Sequence, residues 1–209
     1  EKNANAPDSF QKLVAAAARG AEDVIEALGG KPGATLLGLA RDNANMLGET
    51  FHTQAALRYG DHVAKLSIAP EGGVVDLTDA KVESGFSAMR DAVGAYLAEN
   101  DATYTLRAQL CTDLEQMPVE DAAVEWDADA SPHRPVASLH FPAQDAYSPA
   151  RQVHGDDHLA FNPWNGVAAH RPLGSIMRVR KAAYESSSEQ RHRLNNLPRQ
   201  EPRALTDVP

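Results

Sequence analysis

The sequence predicts an α+β fold, and three observations carry that prediction. Apolar residues recur at helical spacing in segments near both ends and in the middle of the chain. Between them lie segments that alternate with period two. The two kinds of segment do not alternate strictly, as a parallel α/β sheet would require.

The totals fit a folded protein. At 209 residues, 43% hydrophobic and 23% charged, the chain is long enough to bury a core. A net charge of -9 argues against general binding to nucleic acid or anionic membrane. No window reaches the ~18 consecutive apolar residues that a helical span needs. One cysteine, Cys111, excludes an internal disulfide and permits a reducing compartment, so a cytoplasmic location is expected. "EKNANAP" at the start has neither the basic region nor the apolar core of a signal peptide. The expectation is that an upstream segment was removed, omitted, or lies on another chain.

Residues 8–28 read as a first helix, capped by Asp8 or Ser9, with Phe10, Leu13, Val14, Ala17, Val24 and Leu28 on one stripe. "GGKPG" ends it, and a second, weaker helix is expected over 34–47. "ETFHTQAALRYGDHVAKLSIAPEGG" predicts two strands or one bent ribbon, closed by Pro70 and Gly72-Gly73. Helical spacing returns in "TDAKVESGFSAMRDAVGAYLAEN" through Val82, Phe86, Met89, Val93 and Leu97, with Thr78 or Asp79 as cap. Three further strands are expected at 103–111, 122–126 and 136–141. Residues 142–174 read as a long irregular wrap, and 174–194 as the last helix. The proline-rich tail after it reads as an arm lying over another surface.

That last helix carries the chemistry. "HRPLGSIMRVRKAAYESSSEQRHRL", residues 170–194, gathers five arginines and two histidines around Tyr184. On a helix, Ile176, Arg180, Tyr184, Ser187 and Arg191 share one face. A phenol has a pKa of about 10, so a phenolate at neutral pH costs roughly 4 kcal/mol. A neighbouring guanidinium and a ferric ion could together supply it. Tyrosinate serves as an axial ligand to heme iron, and the arginine fork matches a heme propionate. The same spacing also arises from surface pairing and amphipathic packing, so both readings stand on spacing alone.

Four stretches, taken in order, resemble the heme catalase superfamily: "ETFHTQAALRYGDHVAKLSIAP", "QLCTDLEQMPVEDAAVEW", "SPHRPVASLHFPAQDAYSP" and "LAFNPWNGVAAHRPLGSIMRVRKAAYE". They look most like the small bacterial catalase-related heme proteins, and the resemblance runs from about Glu49 to Asn195. It implies the second half of a catalase-type antiparallel β-barrel with flanking helices and a C-terminal proximal heme helix. The expected organisation is a helical N-terminal segment (1–48), the barrel half with wrapping loop and heme helix (49–195), and an extended arm (196–209).

The resemblance further implies a heme b cofactor, with Tyr184 as the iron ligand and Arg180 hydrogen-bonded to its phenolate. Arg191 matches an arginine that reaches a propionate, Phe161 matches an aromatic against the porphyrin, and Ile176 falls in the same cofactor-binding block. Met177 departs from the pattern, which usually has asparagine there. The family's distal histidine and distal asparagine motifs are both missing. A partner is therefore expected: an N-terminal catalase-like segment or subunit carrying the distal histidine, within an oligomer.

Two other clusters carry polar side chains at close spacing. His154-Gly-Asp-Asp-His158 has residues that bind zinc or another divalent ion, but reads first as a solvated loop. Asp113, Glu115, Glu120 and Asp121 could form an acid–base pair; they read as loop caps and interchain contacts. Cys111 reads as a small buried apolar group. The leading expectation is a heme-dependent, catalase- or peroxidase-like oxidoreductase acting on hydrogen peroxide or an organic hydroperoxide. The alternative is a non-catalytic heme-binding or assembly subunit of the same fold.

Overall fold

The computed structural model describes residues 44–83 and 85–209, with scattered positions between 13 and 25. The described positions within the expected first helix are helical; the rest of it, and residues 34–43 of the expected second helix, lie outside the described residues. Positions 44–47 of that second helix are not α-helical. Ala44 bridges Lys81, and Met46–Gly48 form a 3-10 turn capped by the Asn45 side chain.

Five strands form one antiparallel sheet: β1 (Phe51–His52), β2 (Leu57–Tyr59), β3 (His62–Glu71), β4 (Ala102–Leu110) and β5 (Arg134–Phe141). The spatial order is β1-β3-β4-β5, and β2 shares with β1 the outer edge of β3. Pro70 does not close the third strand but lies within it, opposite Tyr104. The expected strand at 122–126 is a turn and coil. Asp121 accepts from the Ala123 N–H at 3.0 Å, so a side-chain cap draws the backbone into a turn instead of a ladder.

Alternation along the strands places a small core on each face of the sheet. On one face Tyr104 and Ala102 pack with Val74, against Leu47, Leu77, Tyr96, Leu97 and Leu139. The Tyr104 hydroxyl donates to the Leu47 carbonyl at 2.7 Å. On the other, Met117 and Trp126 pack with Ala56, Val63, Cys111 and Val119. Buried Gln109 holds that lobe in place by donating to the carbonyls of Trp126 and Ser131, both at 3.0 Å.

Helix α1 spans Ala88–Glu99 and starts eight or nine residues later than the expected caps predict. Thr78 follows a 3-10 turn at Gly72–Leu77, and Asp79 has a left-handed φ of 57°, so neither can open a helix. Phe86 is fully exposed outside it. The wrap at 142–174 is not wholly irregular, because α2 (Pro149–Asp157) lies in it. The Ser148 side chain accepts from the Arg151 N–H, and Pro149 occupies the first turn, the pairing that starts a helix well. Helix α3, Ser175–Asn195, matches the expected last helix. The tail beyond it is irregular except for a 3-10 turn at Leu205–Asp207. Among the described residues no helix is long and apolar enough to cross a membrane.

Candidate functional site

Helix α3 is fixed at its start and along one side. The Leu173 N–H donates to the Ala56 carbonyl at 3.0 Å and the Arg58 N–H to the Arg171 carbonyl at 2.8 Å, so the chain entering α3 is an extra rung beside β2. Gly174 has φ 89°, and a Cβ there would collide with the Val119 carbonyl. The Ser175 hydroxyl then donates to the Glu120 carbonyl at 2.8 Å. Arg178 makes a two-pronged pair with the Glu120 carboxylate at 2.7 and 3.0 Å. Arg178 holds that carboxyl below its ordinary range through these hydrogen bonds. Glu120 thus ties the loop to the helix, while Asp113 and Asp121 cap turns, as expected of the acidic cluster.

Along the flank, the Trp164 indole donates to the Met177 carbonyl at 2.8 Å, and the Lys181 ammonium sits 5.0 Å from the Trp164 ring centre. Asn162 turns the chain beneath it by accepting from the Trp164 N–H at 3.0 Å. These contacts set Phe161 and Pro163 across from the middle of α3.

There Arg180 donates through Nη2 to the Tyr184 hydroxyl at 2.5 Å, its guanidinium 4.9 Å from the ring centre. Its Nη1 meets the Met177 sulfur, at 3.5 Å. A weak thioether acceptor leaves the guanidinium's strongest interaction directed at the phenol oxygen. Both side chains line a cleft of about 500 Å³, within the rough 300–1,000 Å³ range of cofactor and small-molecule sites. The rest of its wall comes mainly from Leu159, Phe161, Asn162 and Pro163, with Glu201 and Pro202 from the tail.

Of the five residues singled out in the sequence, Phe161, Arg180 and Tyr184 meet at this cleft. Phe161 is largely exposed at its mouth. Ile176 is half-exposed on α3 away from the lining. Arg191, two turns past Tyr184, donates to the carbonyls of Asp156 and Leu159. Glu201 and Pro202 were missed by sequence reasoning. Arg199 bridges Glu185 at 3.0 Å and Glu201 at 3.1 Å, folding the tail back over α3, and no spacing in the sequence announces such a return. Asn162 and Pro163 had a signal, since they adjoin Phe161 in "AFNPWNG".

Comparison with known proteins places the fold. No family model matches the chain, and no curated protein matches it in sequence. Among solved structures it is similar to catalase A from Saccharomyces cerevisiae, with a TM-score of 0.54 and 16% identity, over 71% of this chain and 33% of that one. It is also similar to a fungal catalase, with a TM-score of 0.53 and 14% identity, over 71% and 32%. The fold is therefore catalase-like, with an antiparallel sheet and flanking helices. The chain spans about a third of the length of the catalases it matches.

Proposed function

We propose that this chain is the proximal half of a heme-dependent, catalase- or peroxidase-like oxidoreductase of the small bacterial catalase-related kind. The observation that carries the reading is the 2.5 Å bond from Arg180 to the Tyr184 hydroxyl on the wall of the cleft. The residues present fit a tyrosinate-bound heme. One phenol oxygen, already held by a guanidinium, faces a largely apolar cleft with an exposed aromatic ring at its mouth. Heme, when bound, supplies the redox chemistry of peroxide cleavage.

The chain's own residues provide the setting. Tyr184 supplies the anionic oxygen, and Arg180 fixes its direction and withdraws electron density from it. Phe161 offers an apolar plane and Ile176 apolar cover further along α3, while the Arg191 fork, which here holds the Asp156 and Leu159 carbonyls, would have to release them to reach a propionate. A neutral phenylalanine at position 184 keeps the packing and removes the phenol oxygen. Tyr184→Phe should therefore abolish heme retention, or weaken it severely, in reconstitution followed by the Soret band. Unchanged heme content with an unchanged spectrum would defeat the assignment.

The second half of the proposal concerns what lies opposite. Phe51, Ile68, Leu106 and Ala137 are register neighbours that form an apolar row across four strands. Phe51 is 44% exposed. Among the described residues β5 pairs only with β4, which leaves an open strand edge. Soluble proteins cover such faces and edges. An N-terminal catalase-like segment or subunit bearing the distal histidine would cover this one, in a cytoplasmic oligomer whose substrate is hydrogen peroxide or an organic hydroperoxide.

A further inference from the structure

We propose that His154 and His158 form a two-imidazole binding site for a divalent transition-metal ion such as zinc or copper(II), separate from the Tyr184 cleft. The sequence predicts a solvated loop here, and the structure instead places the pair at the end of a helix. His154 lies in the last turn of α2, and His158 is the residue that caps it, its N–H donating to the His154 carbonyl at 2.9 Å. Four residues apart on a helix, the two rings share one face.

Two ring nitrogens, His154 Nε2 and His158 Nδ1, are shielded from solvent and have no hydrogen-bond partner. A buried imidazole nitrogen must donate or accept. Leaving one unmatched carries the full desolvation penalty of the group, and two in adjacent rings call for a common explanation. The ring centres lie 5.4 Å apart with planes tilted by 31°. A metal about 2.0–2.1 Å beyond each ligating nitrogen sits roughly 3.2 Å from each ring centre, so two ligands at a tetrahedral angle place those centres about 5 Å apart. The observed 5.4 Å is close to that value, and the two unpartnered nitrogens set this pair apart.

The backbone around the pair is held from α3. Arg191 binds the Asp156 and Leu159 carbonyls. Asn195 donates to the Asp157 carboxylate at 2.8 Å. Buried His192 approaches the His158 carbonyl at 3.4 Å. Among the described residues no cluster of three or more His, Cys, Asp or Glu side chains is placed to hold a metal, so the proposed site rests on two protein ligands. Two imidazoles with open positions favour zinc, copper(II) or nickel(II) over magnesium or calcium. The chain's other close histidine pair is a useful contrast. His52 and His133 are 5.3 Å apart but stand edge to face at 77°, and His133 Nδ1 is matched by the Ser67 hydroxyl at 3.0 Å.

The test uses the full 209-residue chain without heme. Zinc(II) titrated against a chromophoric chelator should bind at one equivalent. His154→Gln and His158→Gln should each weaken binding at least tenfold, while His133→Gln leaves it unchanged. Copper(II) bound to the unsubstituted chain should show the hyperfine pattern of two imidazole nitrogens in electron paramagnetic resonance, a reading that needs no variant to fold. No binding, equal affinity in the His154 and His158 variants, or fewer than two nitrogens on copper would overturn the site.

Discussion

Arg180 and His133 illustrate what single residues contribute. Arg180 hydrogen-bonds the Tyr184 oxygen at 2.5 Å, and a bond to a charged acceptor is worth about 1.5–3 kcal/mol. On the proposed function, Arg180→Leu should retain some heme but lower the iron's reduction potential, because the oxygen becomes a stronger donor; potentiometry of the reconstituted variant checks this. His133 depends on pH instead. Burial, followed by the nearby His52 and Arg107, pushes its pKa below the ordinary 6.5. Above that ordinary value both folded and unfolded chains leave the ring neutral, and it costs nothing. As pH falls through it, the unfolded chain takes up the proton first, so stability is lost. Denaturant midpoints should therefore decline below about pH 6.5, and His133→Gln should flatten part of that decline.

Helix boundaries divide by the physics that sets them. Helix α3 was legible from its spacing because a long amphipathic run needs little help from elsewhere. The start of α1 was not, since Asp79 takes a left-handed backbone and the preceding turn at Gly72–Leu77 is fixed by packing of Val74. Helix α2 was hidden by its composition, yet Ser148-Pro149 was a readable start signal. The strand expected at 122–126 failed because its apolar residues serve a different purpose: Trp126 is a core plug beside Met117. At the entry to α3, Gly174→Ala should be costly, since a left-handed φ and contact with the Val119 carbonyl oppose it together. A loss on the order of 2–3 kcal/mol is expected, lowering the Tm by roughly 4–12 °C, which calorimetry can measure.

For the whole molecule, the antiparallel sheet and the tyrosine helix were legible in the sequence, as were the three residues that meet at the cleft. The tail's return over that cleft was not, because it rests on exposed ion pairs of Arg199 with no sequence period. The same scale governs what the chain does alone. On the proposed function, and with an apolar row half-covered and the β5 edge open among the described residues, the chain alone should bind heme poorly and turn over little peroxide beyond free heme. Adding an N-terminal catalase-like segment should raise both. Full activity from the purified chain, with no second polypeptide by mass spectrometry, would contradict the proposed division.

The two tryptophans give this fold a built-in optical readout. Trp126 is 3% exposed in the lobe that Gln109 pins to the sheet, with the Lys65 ammonium 4.8 Å from its ring centre. Trp164 instead leans on α3, one side of its ring under Lys181. A Trp164→Phe chain should therefore emit from an apolar site and redden only when the sheet lobe opens, whereas a Trp126→Phe chain follows the helix beside the cleft. Two emission curves recorded during one denaturant series would show whether sheet and tyrosine helix melt as one cooperative unit.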